Sequence, residues 1–195
     1  QLPADLLVLG THGRSGFERL FLGSVTEKVL RTTRAPVMTI PPPVTQPGPT
    51  LYKTILCPLD FSDASTRALE YALSLAQEAD ARLILLHVIE NLLGEEGASE
   101  MGHMRVSEYD RYLKVDAMAR LKSVVPETAK VWSAPEERVV RGRAYREILK
   151  VARDERVELI VMGVQGKSAL TRLVLGSTTH HVIREAGCPV LTLRG

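Results

Sequence analysis
Short apolar runs alternate along this chain with longer stretches in which apolar residues recur every three or four positions. Leu6-Leu7-Val8-Leu9 and Leu159-Ile160-Val161-Met162 are apolar at every position, the pattern of strands buried on both faces of a parallel sheet. Residues 52–58, 83–89 and 190–193 read as further buried strands. Ala68, Leu69, Ala72, Leu73, Leu75 and Ala76 form a helical stripe, and Ser62 or Asp63 stands where a cap is needed. Residues 104–125, 143–153 and 170–185 carry three more helical patterns, and residues 90–103 form a glycine- and glutamate-rich loop. The third strand has the least regular pattern, because 130–132 and 138–140 lie on either side of Pro135. From residue 52 onward, strands and helices alternate. This predicts an α/β domain with a doubly wound, Rossmann-like, five-stranded parallel sheet, whose ligand crevice lies beyond the carboxyl ends of the strands where strand order reverses.

One segment of that pattern occurs twice. Gly10-Thr11-His12-Gly13 is followed by nine residues and Gly23-Ser24; Gly163-Val164-Gln165-Gly166 is followed by nine residues and Gly176-Ser177. The two copies align without gaps at a constant offset from Asp5/Glu158 to Ile40/Leu193, with about 16 of the aligned positions identical. A period this long predicts a duplicated domain rather than a solenoid. Residues 1–41 then read as the C-terminal half of a first domain, a β-α-β unit of the same fold that begins in mid-domain. Residues 42–51 hold prolines and a glycine that predict an extended, semi-rigid linker, and 52–195 make a complete domain. If the first copy once matched the second, roughly 100 residues upstream are missing, by the usual size of a domain.

Bulk composition narrows the classes. The 25 basic and 23 acidic residues nearly cancel, which gives no support for nucleic acid as a partner. Cys57 and Cys188 have no metal or CxxC spacing and read as buried, reduced thiols. No apolar stretch has the length of a membrane span and no signal peptide is visible, so the expectation is a soluble, cytoplasmic protein with no membrane partner.

Three segments should meet at the crevice. Pro58-Leu59-Asp60 leaves the first strand of the complete domain, where the aspartate serves either as a turn or cap carboxylate or as an acceptor for adenine and ribose groups. Arg141-Gly142-Arg143 leaves the third strand, where Gly142 permits a tight turn beside a ligand. The glycine-rich turn leaving the fourth strand is a place to hold phosphate, because glycine lets the backbone approach the anion and helix N–H groups point at it. There Gly163 and Gly166 give access, Lys167 supplies charge, and Ser177 and Thr178 supply donors. The alternative for the paired glycines is close strand-to-helix packing. His180 and His181 point about 100° apart on a helix and do not share a metal as an i, i+4 pair does. His12 is a candidate anion neighbour in the first copy, and His87 reads as structural. No Walker A sequence, nucleophile elbow, metal cluster or aromatic stacking platform is present, so no catalytic or metal-ligating residue is assigned.

These motifs resemble the universal stress protein family. Its signature G-x2-G-x9-G-[ST] stands here as Gly163, Gly166 and Gly176-Ser177, and again as Gly10, Gly13 and Gly23-Ser24. Ile55-Leu56-Cys57-Pro58-Leu59-Asp60-Phe61-Ser62, Leu85-Leu86-His87-Val88 and the segment from Gly142 to Ile148 are similar to further family segments. The resemblance implies a five-stranded parallel sheet binding ATP, with ADP or AMP as alternatives and Mg²⁺ accompanying ATP. It implies that Asp60 and Val88 contact adenine and ribose, that Met162 and Gly163 line the same side, and that Gly166, Gly176, Ser177 and Thr178 hold phosphates. It also implies a homodimer or pseudo-dimer through the last strands, here Val37–Ile40 and Val190–Leu193. The second loop departs from the family habit: Val164 lacks a hydroxyl, and Lys167 keeps the charge without an arginine's fork.

The leading expectation is a nucleotide-binding regulatory module of the stress response, with the first half-site empty because it lacks its own strand-one aspartate. A second class is slow ATP hydrolysis or autophosphorylation on Ser177 or Thr178. A third is an assembly module that binds no nucleotide. No residue is an evident water-activating base beside the phosphates, which weighs against fast turnover.

Overall fold
The computed structural model of the chain describes residues 4–11, 22–42, 52–90, 103–130, 134–165 and 175–194. The first copy contributes β1 (Leu7–Gly10), α1 (Ser24–Thr32) and β2 (Val37–Ile40). The rest supplies β3 (Thr54–Pro58), α2 (Asp63–Ala79), β4 (Arg82–Ile89), α3 (His103–Val124), the single turn α4 (Glu127–Lys130) and β5 (Glu136–Arg141). It closes with α5 (Ala144–Asp154), β6 (Leu159–Gly163), α6 (Ser177–Glu185) and β7 (Val190–Leu193).

Strand residues sort by parity onto two faces. Ile55, Cys57, Leu83, Leu85, Leu159 and Val161 pack with Ala68, Leu69 and Ala72 of α2 and Leu121 of α3. Leu56, Ile84, Leu86, Ile160 and Met162 pack on the other side with Ile148 of α5 and Ile183 of α6. Apolar at both parities, the strands need helices on both faces, and burying each leucine or isoleucine is worth about 1.5–3 kcal/mol. Helix α2 buries Ala64, Ala68, Ala72 and Ala76 at four-residue spacing, and these small side chains let it lie close to the sheet. Both cysteines are buried free thiols; burial pushes Cys188 up to about 12 and Cys57 also well above its ordinary value.

The five strands of the complete repeat are parallel in the order β7-β6-β3-β4-β5, as expected. The sheet does not stop there. Strand β2 joins β7 antiparallel and β1 joins β2 parallel, giving seven strands in all. Met38 faces Leu191, its own counterpart in the repeat, so the junction is a pseudo-twofold axis. On either side of it Thr39 Oγ1 donates to Val190 O at 3.2 Å and Thr192 Oγ1 donates to Val37 O at 3.1 Å, both buried.

Three details differ from the periodicity. Lys130 ends the turn α4 instead of opening a strand, and the third strand is one uninterrupted segment after Pro135. The last helix begins at Ser177, not 170: Gly176 is its N-cap with extended backbone angles. Leu170, Trp132 and most of the linker lie outside the described residues.

Far from the carboxyl strand ends, Arg82 and Arg138 both pair with Glu136 and Glu155. Hydrogen bonds from Arg138, then Arg82, hold the Glu155 carboxyl down to about 2 from an ordinary 4.5. A carboxyl depressed by folding stabilises the protein above its unfolded pKa and loses that contribution as pH falls toward the folded one. Chemical unfolding from pH 5 to 2 is therefore expected to show a steeper loss of stability in the native protein than in Glu155→Gln. A second expectation concerns the junction. Thr39→Pro removes a backbone donor inside the sheet, so limited proteolysis should release residues 1–41 early while 52–195 stays protected.

Candidate functional site
Because β3, β4, β5 and β6 run parallel, the helices that follow β3, β5 and β6 begin at one edge of the sheet. Strand order reverses between β3 and β6, where a crevice opens in folds of this kind. A cavity of about 440 Å³ lies there, within the range of small-molecule sites.

Nine of the sequence-derived residues line it. Pro58, Leu59 and Asp60 come from the end of β3, Val88 from β4, Met162 and Gly163 from the end of β6, and Gly176, Ser177 and Thr178 from the start of α6. Gly142 does not line it. This glycine has φ +152°, its N–H donates to Ile89 O at 3.2 Å, and an added Cβ would lie 2.8 Å from Glu147 Oε1. It shapes the turn into α5, and Ala144 reaches the cavity instead. Gly166 and Lys167 lie outside the described residues, as do His12 and Gly13.

The structure also brings in residues that the pattern did not single out for this site: Ser65, His87, Glu90, Ile148, Gln165 and Thr179. Thr179 had a signal in the repeat. Its Oγ1 donates to Gly163 O at 2.9 Å, and its counterpart Thr26 makes the same 2.9 Å bond to Gly10 O. Glu90 had only its place at the end of a strand.

Local geometry gives each wall a cause. Asp60 Oδ1 accepts from Ser62 N at 3.1 Å and Ser62 Oγ at 2.6 Å, so the carboxylate organises the turn and borders the cavity as well. Between them Phe61 adopts φ +62°, an uncommon left-handed conformation for an aromatic residue. The His87 ring lies against Phe61 with centroids 4.7 Å apart and planes tilted by 34°, and its Nδ1 donates to Leu59 O at 2.7 Å, while the Arg120 guanidinium lies over the Phe61 ring at 4.3 Å. Those contacts hold the turn in place. The floor is apolar, from Leu86, Val88, Ile148 and Met162.

Three helix N-termini reach the cavity, and they are not equivalent. Ser62 caps α2, its side chain accepting from Ser65 N. Arg143 does not cap α5, but Glu90 Oε1 accepts from Ala144 N at 2.8 Å. Gly176 at the start of α6 has no side chain, and among the described residues no side-chain acceptor meets that first turn. Among the described residues, the α6 terminus is thus the one of the three without a side-chain acceptor. A wider depression of about 680 Å³ runs along the outer face of α3, by Asp110, Lys114 and Met118, away from any helix start. Among the described residues no group of three His, Cys, Asp or Glu side chains could hold a metal ion, and no helix is long and apolar enough to cross a membrane.

A doubly wound sheet with a cleft at its switch point and a glycine-led helix at its rim defines an α/β protein of the Rossmann-like class. The universal stress protein family model matches residues 1–41 and 51–194, and the chain belongs to that family. It is 32% identical to the universal stress protein MJ0577 of Methanocaldococcus jannaschii over 155 residues, 74% of this chain and 96% of that protein. The solved structure of MJ0577 superposes with a TM-score of 0.65, covering 75% of this chain and 98% of that one. A universal stress protein from Archaeoglobus fulgidus shares the fold over 97% of this chain and 60% of its own, with a TM-score of 0.64 at 24% identity.

Backbone closeness at Gly163 makes a direct test. A Cβ there would lie 2.9 Å from Ala64 C and Ala64 Cβ. Gly163→Ala should cost about 1–3 kcal/mol by overpacking, read as a lower urea midpoint.

Proposed function
We propose that the cleft of residues 52–195 binds one adenine nucleotide, ATP or its ADP and AMP relatives, and that the protein works as a nucleotide-dependent regulatory module. The observation that carries this reading is the asymmetry of the three helix termini. Only the α6 terminus, among the described residues, lacks a side-chain acceptor, and it lines a cavity that Asp60 and Glu90 also line. Phosphate at α6, an apolar-faced base against Val88 and Met162, and hydroxyl or amino donors toward the carboxylates satisfy each surface in turn. The two glycines themselves answer to packing: a Cβ at Gly163 would meet Ala64 of α2, and one at Gly176 would lie 3.2 Å from Val164 O. Mg²⁺ would arrive with the phosphates. Lys167, which follows the turn in sequence, would add charge to the phosphate end.

The first copy, residues 1–41, repeats the frame without the walls. Thr11 N donates to Ile40 O and Gly23 N to Thr11 O, as Val164 N does to Leu193 O and Gly176 N to Val164 O. We assign residues 1–41 to assembly through β2 and β7, with residues 42–51 as the linker.

Acid extraction of the purified protein should release close to one adenine nucleotide per chain, or the stripped protein should take one up from millimolar Mg-ATP. Gly176→Asp is the matched control. Aspartate is a favourable N-cap but its Cβ would lie 3.2 Å from Val164 O, so a thermal melt accompanies the binding measurement; the carboxylate added at the α6 terminus should weaken binding by roughly tenfold or more. No nucleotide released and none taken up would leave assembly as the function.

A further inference from the structure
Glu90 stands immediately after β4, the second strand of the complete repeat, and its side chain is exposed at the rim of the cavity. Its Oε1 accepts from the first backbone N–H of α5, that of Ala144, at 2.8 Å. This contact spans 54 residues of sequence and ties the end of β4 to the start of α5. Two consequences follow. The carboxylate is already fixed by a backbone donor, so accepting a ligand hydroxyl loses little further side-chain freedom. Its charge also occupies the α5 terminus, which otherwise would attract an anion as the α6 terminus does.

An acidic side chain at the end of the second strand of a doubly wound sheet is well placed to accept from ribose hydroxyls and to repel a phosphate attached there. We propose that Glu90 is a specificity-determining residue of this cleft: held on the α5 backbone, it accepts hydroxyl hydrogen bonds from the ligand's neutral end and excludes ligands that carry a second phosphate on the ribose. The inference rests on the nucleotide reading of the same cleft. It adds the ligand's orientation, with ribose hydroxyls toward Glu90 and the 5′-phosphate toward α6, and it adds a rejected class, the nucleoside bisphosphates.

Titration calorimetry on the stripped, full chain would compare AMP with adenosine 2′,5′-bisphosphate and adenosine 3′,5′-bisphosphate. The native protein should prefer AMP over at least one bisphosphate by about tenfold, and the preference should shrink as salt is raised. Glu90→Gln keeps an oxygen for Ala144 N but removes the charge, and should reduce the ratio to about threefold or less. Glu90→Asp keeps the charge and should retain most of the ratio, which guards against a loss caused by misfolding. A ratio unchanged in Glu90→Gln, or an equal weakening of every ligand, would overturn the proposal and leave Glu90 as a cap of α5 alone. Failure of the native protein to bind any of the three would overturn the nucleotide reading, and the proposal with it.

Discussion
Gly163 leaves no room for a side chain between the end of β6 and the start of α2, and the position of the cleft depends on that contact. A Cβ there would lie 2.9 Å from Ala64 C and 3.0 Å from Ser65 N, so strand and helix meet backbone to backbone. The same residue's carbonyl accepts from Thr179 Oγ1, which fixes the first turn of α6. One glycine therefore sets three things together: where β6 stops, how near α2 lies, and where α6 begins. Parallel strands would bring helix starts to this edge in any case. What Gly163 adds is spacing, because the capped α2 terminus and the open α6 terminus end on opposite sides of one residue.

The junction between the repeats follows a different logic. Antiparallel pairing of Val37–Thr39 with Val190–Thr192 lets two equivalent strands satisfy each other, and the threonine pair makes the same hydrogen bond in both directions. This is the self-complementarity of an isologous contact, achieved within one chain. Arg194 reinforces it from one side only: its Nη2 donates to Leu30 O at 2.8 Å and to Arg31 O, carbonyls in the last turn of α1. The pairing covers the open edge of β7.

Apolar continuity was enough to read the strands, since β3, β4, β6 and β7 are buried on both faces and local sequence alone reports that. The pairing of the last strands was implied by the family resemblance, and within the chain β2 does join β7 antiparallel. Periodicity failed where local pattern and tertiary role part. The apolar spacing from Leu170 extends a helix past Gly176, yet Gly176 takes extended angles because its N–H donates to Val164 O and ties the loop to β6. Gly142 makes the tight turn its residue type suggests: its φ is positive, its N–H donates to Ile89 O, and an added Cβ would meet Glu147. Glu90 went unread because its partner, Ala144, is far away in sequence, and a charged residue after a strand looks like any solvated loop residue.

The two copies separate the contribution of a helix terminus from that of the walls around it. Both copies hold a glycine N-cap, a threonine that ties the helix to the preceding strand, and matching loop hydrogen bonds. In the first copy Val25, 70% exposed, stands where Thr178 lines the cavity in the second. A helix terminus alone attracts an exposed anion by only about 0.3–1 kcal/mol, and salt screens it. That is far short of the roughly 8 kcal/mol that micromolar binding requires. On the proposed reading the remainder would come from burying the base and pairing its polar groups, a task for β3 and β4 with Asp60, Val88 and Glu90. On that reading the glycine signature marks where a phosphate would rest, and the strands beside it decide whether a nucleotide stays.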